Sequence, residues 1–142
     1  MSMVINTPIH PIFVHYPIAL FTTALGLQIM SYVLKNLKLH QSAIYVYILA
    51  SAAAPLTVGT GVWEAEGLNL HHPVRYFHQN FGFAVLGFSL LNLILLRFVH
   101  KRKAHYFQAV FTACLLITAF LVVCTAYFGG ELVYQYAVGV KE

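Results

Sequence analysis

Charge is what this sequence has least of. Asp, Glu, Lys and Arg make up 8% of its 142 residues, against about 25% in soluble domains. Together with 60% hydrophobic residues and a mean hydropathy of +0.75, this excludes an ordinary soluble globular protein. Cysteine is scarce too. Cys114 and Cys124 both sit inside one apolar run, where a thiol behaves as a small hydrophobe. The arrangements that announce familiar chemistries are missing. There is no Gly-rich phosphate loop, no nucleophile elbow and no HExxH zinc motif. The absence of CxxCH excludes a covalently attached c-type haem. No basic patch interleaved with exposed aromatics lies in a soluble segment, so nucleic acid is not expected as a partner.

What the chain has is apolar length. Four runs, roughly 11–34, 43–63, 77–99 and 106–128, each approach the ~20 residues that cross a hydrocarbon core as a helix. None alternates in the manner of a barrel strand. The expected fold is therefore all-α and integral to the membrane: a single up-down four-helix transmembrane bundle over residues 1–142. No internal repeat is apparent. The opening MSMVINTP lacks the basic n-region of a secretory signal, so the first run is expected to stay in the protein.

The few cations set the expected orientation. Lys35, Lys38, Lys101, Arg102 and Lys103 fall in the first and third connections, with Arg97 close by. The positive-inside rule assigns those connections to the cytoplasm. Both termini and the long middle connection then face outward, as in a multi-pass protein of the bacterial inner membrane.

That topology gathers polar residues at one end. The outer rim collects His10, His15, His71, His72 and His78, five of the eight histidines, with Glu64, Glu66 and Glu131, three of the four acids. Imidazoles at the edge of hydrocarbon cost free energy unless hydrogen-bonded or ligated. His15 and His78 lie about one turn inside the first and third helices, at matched depth. On diagonal helices of a bundle such a pair suits axial ligation of a haem b iron. Small residues follow each at helical spacing: Ala19, Thr22 and Gly26 beneath His15, and Gly82, Val85 and Ser89 beneath His78. The same stripes also serve close helix approach in a membrane.

Around this pair, His10 is a third candidate ligand, or a cap next to Pro11. Arg75 suits a propionate carboxylate, and Glu64 and Glu131 suit acceptors for histidine N–H groups. Trp63, Tyr76, Tyr127 and Tyr134 fit the aromatic belt of any membrane interface. In YFGGELVYQYAVGV the paired glycines suggest a left-handed turn that sends the tail back over the rim. His40, His100 and His105 flank basic loops and read as headgroup contacts. A copper or zinc centre drawn from His10, His15, His71, His72 and His78 stays open, as does a quinone site.

The blocks HPIFVHYPIAL, GVWEAEG, RYFHQNFG and YFGGELVYQYAVGV resemble the signature of a bacterial family of four-helix membrane domains, domain of unknown function 2231. The resemblance covers nearly the whole chain, with Tyr16 where the family pattern has phenylalanine and Glu64 where it has aspartate. Family members are sometimes fused to Rieske or cytochrome c domains, which implies redox company. The expected function is a b-type electron-transfer module at the extracytoplasmic face. It would exchange electrons with a quinol or a redox protein of the cytochrome c or Rieske type, within a hetero-oligomeric complex. The alternatives are a non-catalytic anchor or assembly subunit of a respiratory complex, and a copper- or zinc-binding membrane protein.

Overall fold

In the computed structural model, residues 9–66, 72–99 and 104–138 are described. They form four helices: α1 His10–Val33, α2 Leu37–Glu66, α3 Pro73–Val99 and α4 Ala104–Tyr134. All four are long and apolar enough to cross a membrane. Their outer faces carry large apolar side chains such as Leu49, Ile94, Phe98 and Phe120, a surface suited to lipid rather than water. His71, His100, Lys101, Arg102, Lys103 and Lys141 lie outside the described residues.

Local chemistry sets the helix ends. Glu64 accepts hydrogen bonds from the backbone N–H groups of Ile9 and His10, satisfying two of the four donors that a helix start leaves without partners. Pro11 occupies the first turn, where a missing N–H costs nothing. α1 stops where Lys35 adopts φ 50° and the Asn36 N–H returns to the Ser31 carbonyl at 3.0 Å, a left-handed closure. Asn36 then caps α2, accepting the Lys38 N–H at 2.9 Å. His72 does the same for α3: its Nδ1 accepts the Val74 N–H at 3.3 Å, and Pro73 opens the helix.

All four helices outrun the hydrocarbon, α2 and α4 by the most. α2 has 30 residues and α4 has 31, so each is about 45 Å long, against ~30 Å of hydrocarbon. α4 also corrects the turn expected at Gly129–Gly130. The helix passes through both glycines, because helical backbone is open to glycine at only a modest cost. The chain reverses instead at Ala137, φ 52°, where the Val138 N–H reaches the Leu132 carbonyl at 3.0 Å. The tail does fold back: the Tyr136 ring lies 4.2 Å from that of His72.

α1 packs along α2 and α3 along α4, while the two hairpins meet more loosely through α1 with α4 and α2 with α3. The hairpins are repeats of one another, contrary to the sequence reading. Buried Pro17, Phe21, Ala24 and Gln28 of α1 are matched, 68 residues later, by buried Val85, Ser89, Asn92 and Leu96 of α3. Ala43, Tyr47, Ala50, Ser51 and Ala54 of α2 are matched at the same offset by Phe111, Leu115, Thr118, Ala119 and Val122 of α4. The hairpins are thus approximate twofold mates about the bundle axis. The repeat escapes a scan for identity because burial persists at these positions while the residue does not.

Since lipid is as apolar as leucine, packing and interhelical hydrogen bonds hold such a bundle together. Phe21 and Phe111 flank the buried Tyr47 ring edge-on at 5.4 and 5.6 Å. The Tyr47 hydroxyl donates to Thr118 Oγ1 at 3.2 Å, since Thr118 gives its own hydrogen to the Cys114 carbonyl. It accepts from Asn92 Nδ2 at 3.0 Å. One tyrosine therefore joins α2, α3 and α4.

Candidate functional site: two histidines on the bundle axis

The starts of α1 and α3 and the ends of α2 and α4 share one end of the bundle. There the rings of His10 and His78 come together, centroids 6.0 Å apart and planes at 79°. The pair expected on grounds of depth, His15 with His78, does not form. His15 is exposed, its Nδ1 turned back to the Pro11 carbonyl of its own helix. Ala19, Thr22 and Gly26 share that outward face. Five residues of α-helix turn through about 500°, leaving His10 and His15 roughly 140° apart around α1. Only one of them can look inward, and it is His10.

Each ring is held by the neighbouring helix of its own hairpin. His10 Nδ1 lies 3.1 Å from the Thr57 carbonyl oxygen and 3.3 Å from Thr60 Oγ1. His78 Nδ1 lies 2.9 Å from the Thr125 carbonyl oxygen. A carbonyl only accepts, so both Nδ1 atoms carry hydrogen, and Nε2 is the nitrogen left for a ligand in both rings. A ligating histidine commonly has its other nitrogen fixed in this way, often by a backbone carbonyl. Glycine completes each cradle. A Cβ added at Gly61 would fall 2.9 Å from His10 Cε1, and one at Gly129 would fall 2.9 Å from His78 Cε1. His78, Thr125 and Gly129 each stand 68 residues after His10, Thr57 and Gly61. The site is a pair of half-sites built by the repeat.

The first half-site has a further brace. Pro17 has no N–H to give the Phe13 carbonyl, and the Thr57 hydroxyl takes that carbonyl at 3.2 Å. Thr57 thus grips α1 through its side chain and His10 through its backbone. In the second half-site the Thr125 hydroxyl bonds back to Leu121 of its own helix at 2.8 Å. Phe128 instead stacks on Phe77 and Phe81 at 5.3 and 5.6 Å.

The remaining candidates are placed as follows. Glu64 acts on His10 through the backbone, capping the helix that carries it, rather than accepting a ring N–H. Glu131 is half-buried within α4, and Arg75 is half-buried in the first turn of α3. Gly82 is not pressed by any ring, since a Cβ there meets nothing within 4 Å. His72 is a helix cap. His40 is not a headgroup contact but is 7% exposed at the opposite end. Its Nδ1 donates to Gln28 Oε1 at 2.8 Å, and Gln28 Nε2 donates to Thr112 Oγ1 at 2.7 Å. The residues that sequence reading missed are Thr57, Gly61, Thr125 and Gly129. Their signal was present as H-x-x-F and T-x-x-x-G recurring with one fixed offset.

The family model for predicted membrane proteins, DUF2231, matches residues 6–142. The chain belongs to that family. No curated protein and no solved structure matches it.

What the site can do follows from its dimensions. An imidazole nitrogen binds a metal at about 2.0–2.1 Å and its ring centre lies roughly 1.1 Å beyond, so rings on opposite sides of one ion have centres ~6.3 Å apart, and rings at a tetrahedral angle ~5 Å. The observed 6.0 Å lies nearer the first. Among the described residues no three His, Cys, Asp or Glu side chains gather as a metal-ion site, whereas a tetrahedral zinc site requires three or four.

Proposed function

We propose that this protein is a b-type haem module for single-electron transfer, in which His10 and His78 would hold the haem iron through Nε2. The observation that carries the reading is the pair of carbonyl-fixed imidazoles whose ring centres lie 6.0 Å apart. A haem iron needs only two protein ligands, which favours it over a tetrahedral zinc ion. When bound, it supplies one-electron chemistry. The chain supplies the two nitrogens, fixes their ring orientation and surrounds them with helix.

The rim bearing the site is proposed to face outward, with both termini, in the bacterial inner membrane. Lys35, Lys38 and Arg97 stand at the opposite end, which supports this orientation. Electrons would arrive from a quinol and leave to a redox protein of the cytochrome c or Rieske type. One centre at one edge does not span the bilayer, so a larger redox complex is the natural setting.

The test is purification of the full chain from a haem-replete host, followed by an absorption spectrum and a pyridine haemochrome. A Soret band of b type is expected, abolished in His10→Ala and in His78→Ala and retained in His15→Ala and His40→Ala. A colourless wild-type protein from such a host overturns the reading. Haem retained in all four variants overturns the ligand assignment.

A further inference from the structure

We infer that Gly61 and Gly129 are a matched pair of positioning residues that hold His10 and His78 crosswise, so that the metal centre receives two axial imidazoles in nearly perpendicular planes. This inference rests on the haem reading above and is separable from it by experiment.

Two features fix each ring. The hydrogen bond from Nδ1 to a threonine carbonyl anchors one edge. The glycine of the following turn lets the Cε1 side of the ring lie against the helix backbone. A Cβ at Gly61 would meet His10 Cε1 at 2.9 Å, Nδ1 at 3.1 Å and Nε2 at 3.3 Å, and one at Gly129 would meet the same atoms of His78 at 2.9, 3.1 and 3.9 Å. Side-chain Cβ atoms do not approach other carbons so closely, so alanine at either place forces the ring to move. Its carbonyl anchor leaves rotation of the ring plane as the easy escape. Two cradles of one design, carried by hairpins related about the bundle axis, leave the rings 79° apart.

The angle between axial planes has an electronic consequence. Each imidazole π system interacts with one of the two iron d orbitals of matching symmetry. Parallel rings act on the same orbital and split the pair; perpendicular rings act on one each and leave the pair nearly degenerate. In the oxidised low-spin state, near-degeneracy gives an electron paramagnetic resonance spectrum dominated by one broad low-field feature. A split pair gives three well-resolved features.

The experiment is that spectrum, recorded on the purified, oxidised full chain and on Gly61→Ala, Gly129→Ala and Gly59→Ala. Gly59 lies on the same helix, and a Cβ there meets nothing within 4 Å. The wild type and Gly59→Ala are expected to show the single broad feature. Gly61→Ala and Gly129→Ala are each expected to shift to the three-feature form, or to high spin if the ligand is lost. Thermal unfolding of both should stay close to that of Gly59→Ala. A haem-loaded wild type with three resolved features overturns the crosswise arrangement and leaves the haem reading standing. A broad feature unaltered in both alanine variants overturns the glycine roles. Absence of any haem signal overturns the haem reading itself, and this inference with it. Should one alanine variant not accumulate, the other decides the glycine roles.

Discussion

His10 and His78 hold equivalent positions in two hairpins, yet the hairpins support them differently. In the first, Pro17 leaves a carbonyl that Thr57 bonds across helices, and Glu64 caps the helix that carries His10. In the second, Val85 replaces the proline, Leu132 replaces the glutamate, and a stack of Phe77, Phe81 and Phe128 braces the end instead. The cores diverge as well. Phe21 corresponds to Ser89, and Ala43 to Phe111, so a large side chain in one hairpin answers a small one in the other. A close-packed interior constrains total volume and shape rather than identity at each place. A histidine ring held in its cradle leaves no such freedom. Its carbonyl anchor and its glycine recur unchanged, and everything behind them has been rebuilt.

The comparison can be broken most severely in the core. Phe21→Ala opens a cavity beside Tyr47 and is expected to cost about 3–5 kcal/mol, measured by unfolding in mixed detergent. Its mate Ser89→Ala removes only a hydroxyl that bonds back to the Leu86 carbonyl at 3.0 Å, and is expected to stay within roughly 0.5 kcal/mol. Equal costs at the two positions would mean that the hairpins share the core load differently from their packing.

Thr57→Val sharpens the contrast between the half-sites. It strands the Phe13 carbonyl at membrane depth and is expected to cost ~1–2 kcal/mol. Thr125→Val loses only a bond within its own helix and should cost less than about 0.5 kcal/mol. Adding Pro17→Ala to Thr57→Val restores an N–H for Phe13 and should recover most of the loss. A double-mutant cycle without coupling would refute the brace.

A smaller effect is expected from Glu64→Leu, which makes the first hairpin resemble the second at that position. Losing the cap on Ile9 and His10 should cost about 0.5–2 kcal/mol and lower haem occupancy through looser placement of His10. The smallest effect is a gain. Lys35 sits at φ 50°, where a side chain costs roughly 1 kcal/mol, so Lys35→Gly should raise the unfolding midpoint slightly without altering any spectrum of the site.

Much of this architecture was legible in advance because lipid imposes a coarse rule. A spanning segment satisfies its own backbone and presents apolar side chains for about 20 residues, so four runs of such length could be counted directly. The approximate depth of each histidine followed from its distance along a run. The repeat was harder to see. Its two copies share the H-x-x-F and T-x-x-x-G spacings and little else, and they become obvious only when burial is compared at the fixed offset.

Length, composition and the order of the apolar runs determined by themselves that this chain is a four-helix membrane bundle with its histidines concentrated at one end. Which histidines meet was decided only by tertiary structure. A helix apolar on nearly every side carries no stripe to reveal its inward face. The rotation of α1 that turns His10 to the axis and His15 outward comes from contacts with α2, through Glu64, Thr57 and Gly61, more than forty residues away along the chain.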